Sequence, residues 1–162
     1  MPALTFSKWS SGGNTTLFLH DTDGSPQEQA ALARAVLDPA LLGAEQAGCV
    51  DLAARRLRMA GGEFCVNASR ALGALLALTA SPAGAMPLRT TVGVSGWEGP
   101  VELAVRGVAP HWEVAARLAL PPQVAPETHA AARLVRLPGI SHLLVRLDAA
   151  EAPPSDILAR TR

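Results

Sequence analysis

The chain has no excess of charge of either sign, because 14 lysine and arginine residues balance 14 aspartate and glutamate residues. A neutral chain produces no long-range field that would draw it to the phosphates of nucleic acid or to an anionic membrane surface. The sequence therefore predicts neither a nucleic-acid partner nor a membrane partner. Lysine is almost missing too, since Lys8 is the only one.

Long apolar runs are also absent. The longest, at 71–78, has the length of a buried helical segment, whereas a membrane span needs about 20 residues. The first residues, Met-Pro-Ala-Leu-Thr-Phe, lack the basic region followed by an apolar region that forms a secretory signal. We therefore expect a cytoplasmic protein whose two cysteines, Cys49 and Cys65, stay reduced.

What the sequence does contain fits a globular α+β fold. Its 162 residues, 49% of them hydrophobic, are enough for one domain with a substantial core. Alternation of apolar and polar residues predicts a series of β-strands joined by short turns. The predicted strands are at 3–9, 15–20, 52–59, 88–94, 101–106, 112–118, 132–137 and 142–147.

Two helices are predicted among these strands. The first begins at Ser25, where a capping serine is followed by proline at the first helical position and glutamate at the third, and it ends before Asp38-Pro39. The second covers 67–79, with its leucines on one face. We expect a curved, mostly antiparallel sheet wrapped around a central helix. This domain would span 1–147, and 148–162 would form a tail that either starts a second domain or serves as a docking segment.

One cysteine lies where the second helix begins. Residues 59–73, Met-Ala-Gly-Gly-Glu-Phe-Cys-Val-Asn-Ala-Ser-Arg-Ala-Leu-Gly, place Cys65 between a predicted strand and that helix. The amide groups of a first helical turn favour anions, and the same field favours the reactive thiolate of a cysteine. Cys65 is therefore the candidate catalytic residue, beside amides that could hold a carboxylate. An inert buried thiol is the alternative.

The other polar residues are weaker candidates when taken singly. Asn14, after Ser11-Gly12-Gly13, is typical of a tight turn, and Glu45 is typical of a solvated loop. Cys49 precedes a strand pattern and is expected to pack in the core. The four histidines have no spacing that suggests metal ligation, so no metal site is predicted.

Three segments, taken in order, resemble one known family. They are 6–16 (FSKWSSGGNTT), 45–48 (EQAG) and 62–68 (GEFCVNA). Together they resemble the N-terminal half of the diaminopimelate epimerase superfamily of cofactor-independent amino-acid racemases. The most similar branch is the histidine racemases of opine-metallophore (staphylopine-type) pathways. The resemblance covers residues 4–96, and from 97 to 147 only the strand pattern continues it.

This resemblance implies two similar α+β domains that face each other across a cleft, each with one cysteine. One thiolate removes the α-proton of a free amino acid such as histidine, and the opposite thiol returns a proton to the other face. No cofactor takes part, neither pyridoxal phosphate nor a metal. Cys65 matches the cysteine of the first domain. Asn67 matches the asparagine beside the amides that hold the substrate carboxylate, and Asn14 matches the substrate-contacting asparagine of the first loop.

The resemblance also implies the rest of the binding site. Glu45 falls on a glutamate that lies near the site in the histidine branch. The complete set of predicted substrate-binding residues is Ser11, Gly13, Asn14, Glu45, Val66 and Asn67.

Two departures from the family pattern define the alternatives. Val66 stands where family members usually have glycine, and the cysteine motif of the second domain is not found before Arg162. We therefore expect a second copy of the chain, in a homodimer, or a partner subunit to supply the other half-site. The alternatives are a fragment, or a catalytically inactive binding or scaffold subunit of the same fold. A third possibility is a related isomerase that moves a double bond.

Overall fold

The computed structural model describes residues 4–81, 87–119, 127–129, 132–137 and 140–145. Contacts within the chain group it into two compact units, Met1–Leu120 and Pro121–Arg162. The tail predicted at 148–162 lies outside the described residues.

The first unit is built on a seven-stranded sheet whose strands lie side by side in chain order. Neighbouring strands are antiparallel except for two parallel pairs, the second with the third and the fourth with the fifth. The expectation of a mostly antiparallel sheet is therefore confirmed. The strands are β1 (Phe6–Ser11), β2 (Asn14–Leu19), β3 (Gln46–Asp51), β4 (Arg56–Met59), β5 (Leu88–Val94), β6 (Val101–Val108) and β7 (His111–Arg117).

Each parallel pair is connected by a helix, because parallel strands cannot be joined by a hairpin. Helix α1 (Pro26–Ala35) links β2 to β3, and α2 (Val66–Ala80) links β4 to β5. The antiparallel step from β3 to β4 reverses the strand direction between the two connections. Right-handed crossovers of opposite strand direction place their helices on opposite faces of a sheet. The structure shows this arrangement, with one core cluster under each helix.

Successive side chains of β2 and β3 belong alternately to the two core clusters. Phe18 and Val50 pack in the larger cluster with α2, whereas Leu17, Ala47 and Cys49 pack in the smaller cluster with α1. Successive side chains of a strand point to opposite faces, so the face of any residue in β2 or β3 follows from its parity. Only residues of β2 and β3 that share the face of Phe18 and Val50 can reach the start of α2.

The sheet curls around α2, which contacts β1 and β2 on one side and β5 to β7 on the other. Most of the helix is buried, and at Gly73 an added Cβ would lie 3.0 Å from Leu103 Cδ1 of β6. The predicted α+β fold, with a curved sheet around a central helix, is confirmed. No helix in the described ranges is long and apolar enough to cross a membrane.

The sequence prediction was wrong around the third and fourth strands. A single strand was expected at 52–59, but β3 ends at Asp51 and the chain turns before β4. Asp51 Oδ1 accepts a hydrogen bond of 2.8 Å from the amide of Ala54, and Arg55 adopts a positive φ of 50°. These features form a tight connection that apolar patterning does not detect. In α1, Ala33 is buried against the sheet, whereas Leu32 is exposed.

The second unit contains a three-stranded antiparallel sheet in the order β10, β9, β8. Its strands are β8 (Glu127–His129), β9 (Ala132–Leu137) and β10 (Ile140–Val145). The prediction of a strand at 132–137 is confirmed, and the last strand begins two residues earlier than predicted. An ion pair of 3.0 Å between Arg136 and Glu127 links β9 to β8.

Candidate functional site

The first residue of the candidate site is Cys65, which caps the N-terminus of α2. Its backbone is extended, with φ −132° and ψ 111°, and its Sγ accepts a hydrogen bond of 3.4 Å from the amide of Ala68. Cys65 as a residue is half-buried, in contrast to the buried Cys49. The expected placement of Cys65 at a helix start is confirmed. A sulfur in this position lies in the positive end of the helix dipole.

A glutamine from β3 holds the other side of the sulfur. Cys65 Sγ donates to Gln46 Oε1 at 3.2 Å, and the buried hydroxyl of Thr16 donates to the same oxygen at 3.3 Å. Both residues lie on the α2 face of the sheet by parity with Phe18 and Val50. Thr16 and Gln46 are also register partners in the parallel β2–β3 pair. The thiol is therefore positioned by the sheet as well as by its own helix.

Two backbone amides beside the sulfur are available to a ligand. The first N–H groups of a helix have no partner within the helix. Ala68 donates to the sulfur, whereas Val66 and Asn67 donate to no group in the described part of the chain. The side chain of Val66 is 39% exposed, so it projects outward from this first turn rather than into the core. These two amides can accept a carboxylate or another small anion.

The β1–β2 hairpin reaches the same place. Its turn residues Gly12 and Gly13 have positive φ values of 60° and 91°, as a two-residue hairpin turn requires. An added Cβ on Gly12 would lie 3.4 Å from Asn67 Oδ1, so the turn lies directly against the first turn of α2. Asn14 shares the face of Thr16 at this end of β2. Ser11, opposite Asn14 in the hairpin, borders a groove of about 450 Å³ that runs along α2.

Glu45 lies beside these residues but does not touch the sulfur. Its Oε2 accepts a hydrogen bond of 2.8 Å from the amide of Thr15, and its own amide donates to the Thr15 carbonyl. The carboxylate therefore ties the start of β3 to the start of β2, one residue from Asn14. The structure thus brings all the predicted site residues to one end of the sheet, around the N-terminus of α2.

A turn after β5 supports the segment that carries Cys65. Ser95 Oγ accepts from the Met59 amide at 2.9 Å and donates to the Glu63 carbonyl at 3.0 Å. Phe64 stacks against Trp97 with ring centroids 5.0 Å apart. Gly96 lies between these contacts, and an added Cβ there would be 2.4 Å from the Phe64 amide nitrogen. The position of Cys65 therefore depends on a turn 30 residues further along the chain.

The second cysteine lies on the opposite face of the sheet. Cys49 is buried in the cluster under α1, and its Sγ donates to the Gln29 carbonyl at 3.5 Å. Burial raises the pKa of the Cys49 thiol above its ordinary value of 9.0, against smaller opposing effects from Thr22 and Arg58. Cys49 packs as expected and cannot act together with Cys65.

Sequence reasoning missed Gln46, Thr16 and Gly12. Gln46 belongs to the segment 45–48 that carries the family resemblance, but the resemblance assigned the site role to the neighbouring Glu45, and strand β3 was not predicted. In a strand, Gln46 and Val50 lie on the same face, because they are four residues apart. A prediction of strand β3 would therefore have placed Gln46 on the face of the helix that carries Cys65. Across the described ranges, no three histidine, cysteine or acidic side chains are grouped to bind a metal ion.

The site has the composition of an acid–base centre for an anionic substrate. A thiol lies at the N-terminus of a helix, and polar side chains from two strands surround it. Beside it lie two backbone amides that donate to no residue the structure describes. The model of the histidine racemase CntK N-terminal domain matches residues 3–158. No curated protein matches the chain.

Proposed function

The chain belongs to the family of the histidine racemase CntK N-terminal domain, and on this premise we propose that it forms one half of an amino-acid racemase. The proposed substrate is a free α-amino acid such as histidine, and the proposed acid–base residue is Cys65. The observation that carries the proposal is the hydrogen-bonded thiol at the start of α2, beside two amides that have no partner among the described residues.

In the proposed reaction, the Cys65 thiolate takes the α-hydrogen as a proton and leaves its electron pair on the substrate. The carbanion next to a carboxylate is very costly in water, so fixed donors must stabilise the negative charge that moves onto the carboxylate oxygens. The amides of Val66 and Asn67 would supply these donors, with Asn14 and Ser11 completing the contact to the substrate. Glu45 and Gly13 would shape the edge of the same site.

The proposed chemistry uses thiols without pyridoxal phosphate. That cofactor is held as an imine with a lysine amine. The only lysine of the sequence, Lys8, donates to the Leu42 carbonyl at 2.7 Å instead. The residues around Cys65 are a thiol, hydroxyls, carboxamides and backbone amides, which suit direct proton transfer.

Inversion of the α-carbon requires a second group on the opposite face. The proton leaves one face and another proton arrives on the other, so a single thiol can exchange the hydrogen but cannot invert the centre. Cys49 cannot be this group, because the sheet separates it from Cys65. We propose that a second half-site, from another copy of the chain or from a partner segment, supplies the opposing acid.

The test is the exchange of the α-hydrogen of histidine with deuterated water, followed by NMR. We expect Cys65→Ser to abolish exchange in the active assembly. A serine hydroxyl is a far weaker acid than a thiol, so it does not form the anion that would act as the base. Cys49→Ser is the matched control and should retain exchange. Undiminished exchange in Cys65→Ser would reject the role of Cys65. Loss in both variants would indicate damage to the fold rather than to the reaction.

The same measurement separates the racemase from an inactive scaffold. A scaffold that kept only the binding site would hold histidine, as detected by line broadening, without any exchange of the α-hydrogen in the wild-type assembly. The racemase proposal expects both binding and exchange, and Cys65→Ser should lose only the second.

A further inference from the structure

Four arginines line one groove on the face of the sheet opposite Cys65. The groove has a volume of about 930 Å³ and lies between α1, the outer faces of β4 and β5, and the turn at 97–100. Its basic side chains are Arg34, Arg55, Arg56 and Arg58, and no acidic residue is among its lining residues in the described part of the chain. We call it the arginine groove.

None of the four makes an ion pair in the described part of the chain. Arg55 donates to Thr90 and Arg58 donates to Gln29, both neutral groups. The side chains of Arg34 and Arg56 make no hydrogen bond to any residue that the structure describes. Carboxylates lie in adjoining pockets, Asp21, Asp23 and Asp51 near Arg56 and Arg58, and Glu102 near Arg55. None of them forms an ion pair with these arginines in the described part of the chain, so the guanidinium groups can pair with an anionic ligand.

The neighbouring strands provide an internal contrast. On β6 and β7, Arg106 pairs with Glu113 at 3.4 Å, and Arg117 pairs with Glu102 at 3.8 Å. These pairs are what an ordinary solvated sheet face shows. The described part of the chain therefore pairs the arginines of β6 and β7 with carboxylates, whereas it shows no ion pair for the four arginines of the groove.

The shape of the groove favours an extended ligand. Arg56 and Arg58 alternate along β4 with Leu57 and Met59. The latter two are buried in the α2 cluster, so both arginines point to the opposite face of the sheet. Alternate residues of a strand lie about 7 Å apart, which is also the spacing of alternate side chains in an extended peptide. At Gly93 an added Cβ would lie 3.8 Å from Arg56 Nε, so the Arg56 side chain lies over this glycine of the neighbouring strand.

We propose that the arginine groove binds an acidic, extended segment of a partner polypeptide. Carboxylates at alternate positions of such a segment would pair with Arg56 and Arg58, and further carboxylates would reach Arg34 and Arg55. The guanidinium group suits this role, since its planar donors match a carboxylate with two hydrogen bonds. The proposal is independent of the racemase proposal, because the groove and Cys65 lie on opposite faces of the sheet.

Nucleic acid fits the groove less well. Single-stranded nucleic acid is held by basic grooves in which exposed aromatic rings stack on the bases. The only aromatic residue in the lining is Trp97, which is 8% exposed and stacked on Phe64. The neutral chain as a whole also provides no long-range attraction to phosphates.

The test is fluorescence anisotropy of a fluorescein-labelled decaglutamate peptide with the 162-residue chain at low salt. The double variant Arg34→Gln/Arg56→Gln should weaken binding about tenfold, because it removes two exposed charge pairs. Arg106→Gln/Arg117→Gln removes the same charge from the paired region and should change binding less than about twofold. Neither Arg34 nor Arg56 makes a side-chain hydrogen bond in the described structure, so the fold should survive.

Four results would overturn the proposal, three from the binding comparisons and one from the salt dependence. The first is no binding of decaglutamate, and the second is an equal loss in both double variants, which would indicate unspecific attraction. The third is tighter binding of a labelled oligothymidylate than of decaglutamate, which would assign the groove to nucleic acid. A fall in decaglutamate affinity as sodium chloride is raised supports the proposal, and insensitivity to salt contradicts it.

Discussion

At Cys65 the sulfur has two hydrogen-bond partners with opposite preferences. Gln46 Oε1 accepts the S–H proton and so stabilises the thiol, whereas the amide of Ala68 donates and so stabilises the thiolate. A residue that removes and later regains a proton must exist in both forms during each cycle. A carboxamide suits this need, because it can offer its oxygen to the thiol or its NH₂ group to the thiolate.

The first prediction concerns Gln46→Glu. A carboxylate at the position of the carboxamide oxygen, 3.2 Å from the sulfur, would oppose ionisation of the thiol. We expect the rate of alkylation of Cys65 by iodoacetamide at pH 7 to fall about tenfold, since like charges at this range commonly cost the charged form that much. In urea, where the side chains are apart, the variant and the wild type should react alike. An unchanged rate in the folded protein would show that Gln46 does not tune the thiol.

The second prediction concerns Cys49 and pH. Because burial raises the pKa of the Cys49 thiol in the folded state, the native chain keeps a proton that the unfolded chain loses near pH 9.0. The free energy of unfolding should therefore decrease, relative to that of Cys49→Ala, as the pH rises through 9.0. The comparison with Cys49→Ala isolates the contribution of Cys49, because every other residue is the same in the two proteins.

A direct titration provides the check on Cys49. In Cys65→Ser the only thiolate absorbance at 240 nm comes from Cys49, and the chain has no tyrosine to interfere. The midpoint should lie above 9.0. A midpoint at or below that value would mean that the thiol is open to water and would contradict its placement under α1.

At the scale of elements, the site depends on a turn that is remote in sequence. The third prediction compares Gly96→Ala with Gly99→Ala. Both glycines have positive φ, 69° and 99°, so both variants carry backbone strain of about 1–2 kcal/mol. Only at Gly96 would the new Cβ meet backbone, 2.4 Å from the Phe64 amide nitrogen, whereas nothing lies within 4 Å of the Cβ at Gly99.

The expected result is a larger loss of stability in Gly96→Ala. Its free energy of unfolding in urea should fall by about 3 kcal/mol or more, against about 1 kcal/mol for Gly99→Ala. Alkylation of Cys65 should change in Gly96→Ala alone, because the clash displaces the segment that leads into α2. Equal losses in the two variants would show that the turn does not position the site.

The elements differ in how far the sequence could predict them. The start of α2 was predictable because its signals are local: a glycine pair, Cys65 as the cap, and a helical period after it. Strand β3 was not predictable, because α1 and α2 cover its two faces. Residues Ala47 to Val50 are therefore buried on both sides, and the alternation that reveals a strand disappears. Because the strand was not predicted, the orientation of Gln46 toward Cys65 could not be predicted either.

At the scale of the whole molecule, the parallel pairings could not be predicted from local patterns. Alternation indicates strands but does not state which strands pair or in which direction. The two helical crossovers decide this, and they place Cys65 and Cys49 on opposite faces. The family resemblance supplied what the pattern could not, since it relates the first loop, the start of β3 and the start of α2 to one site.

The last prediction concerns the second half-site. If inversion needs one thiol on each face of the substrate, the racemisation rate must depend on how the two thiols are brought together. Active assemblies would be prepared with increasing fractions of the Cys65→Ser chain at constant total concentration, and the racemisation of histidine would be followed by polarimetry. Assemblies with equal fractions of Cys49→Ser chain are the matched control and should keep the full rate.

The form of the decline identifies the source of the opposing acid. When two copies of the chain face each other about a two-fold axis, half variant chain leaves about a quarter of the pairs intact. When the opposing acid comes from a different segment, each chain acts alone and about half of the rate remains. Either decline supports a two-sided site that includes Cys65. A rate that does not depend on the fraction of Cys65→Ser would contradict it, because racemisation would then proceed without this thiol.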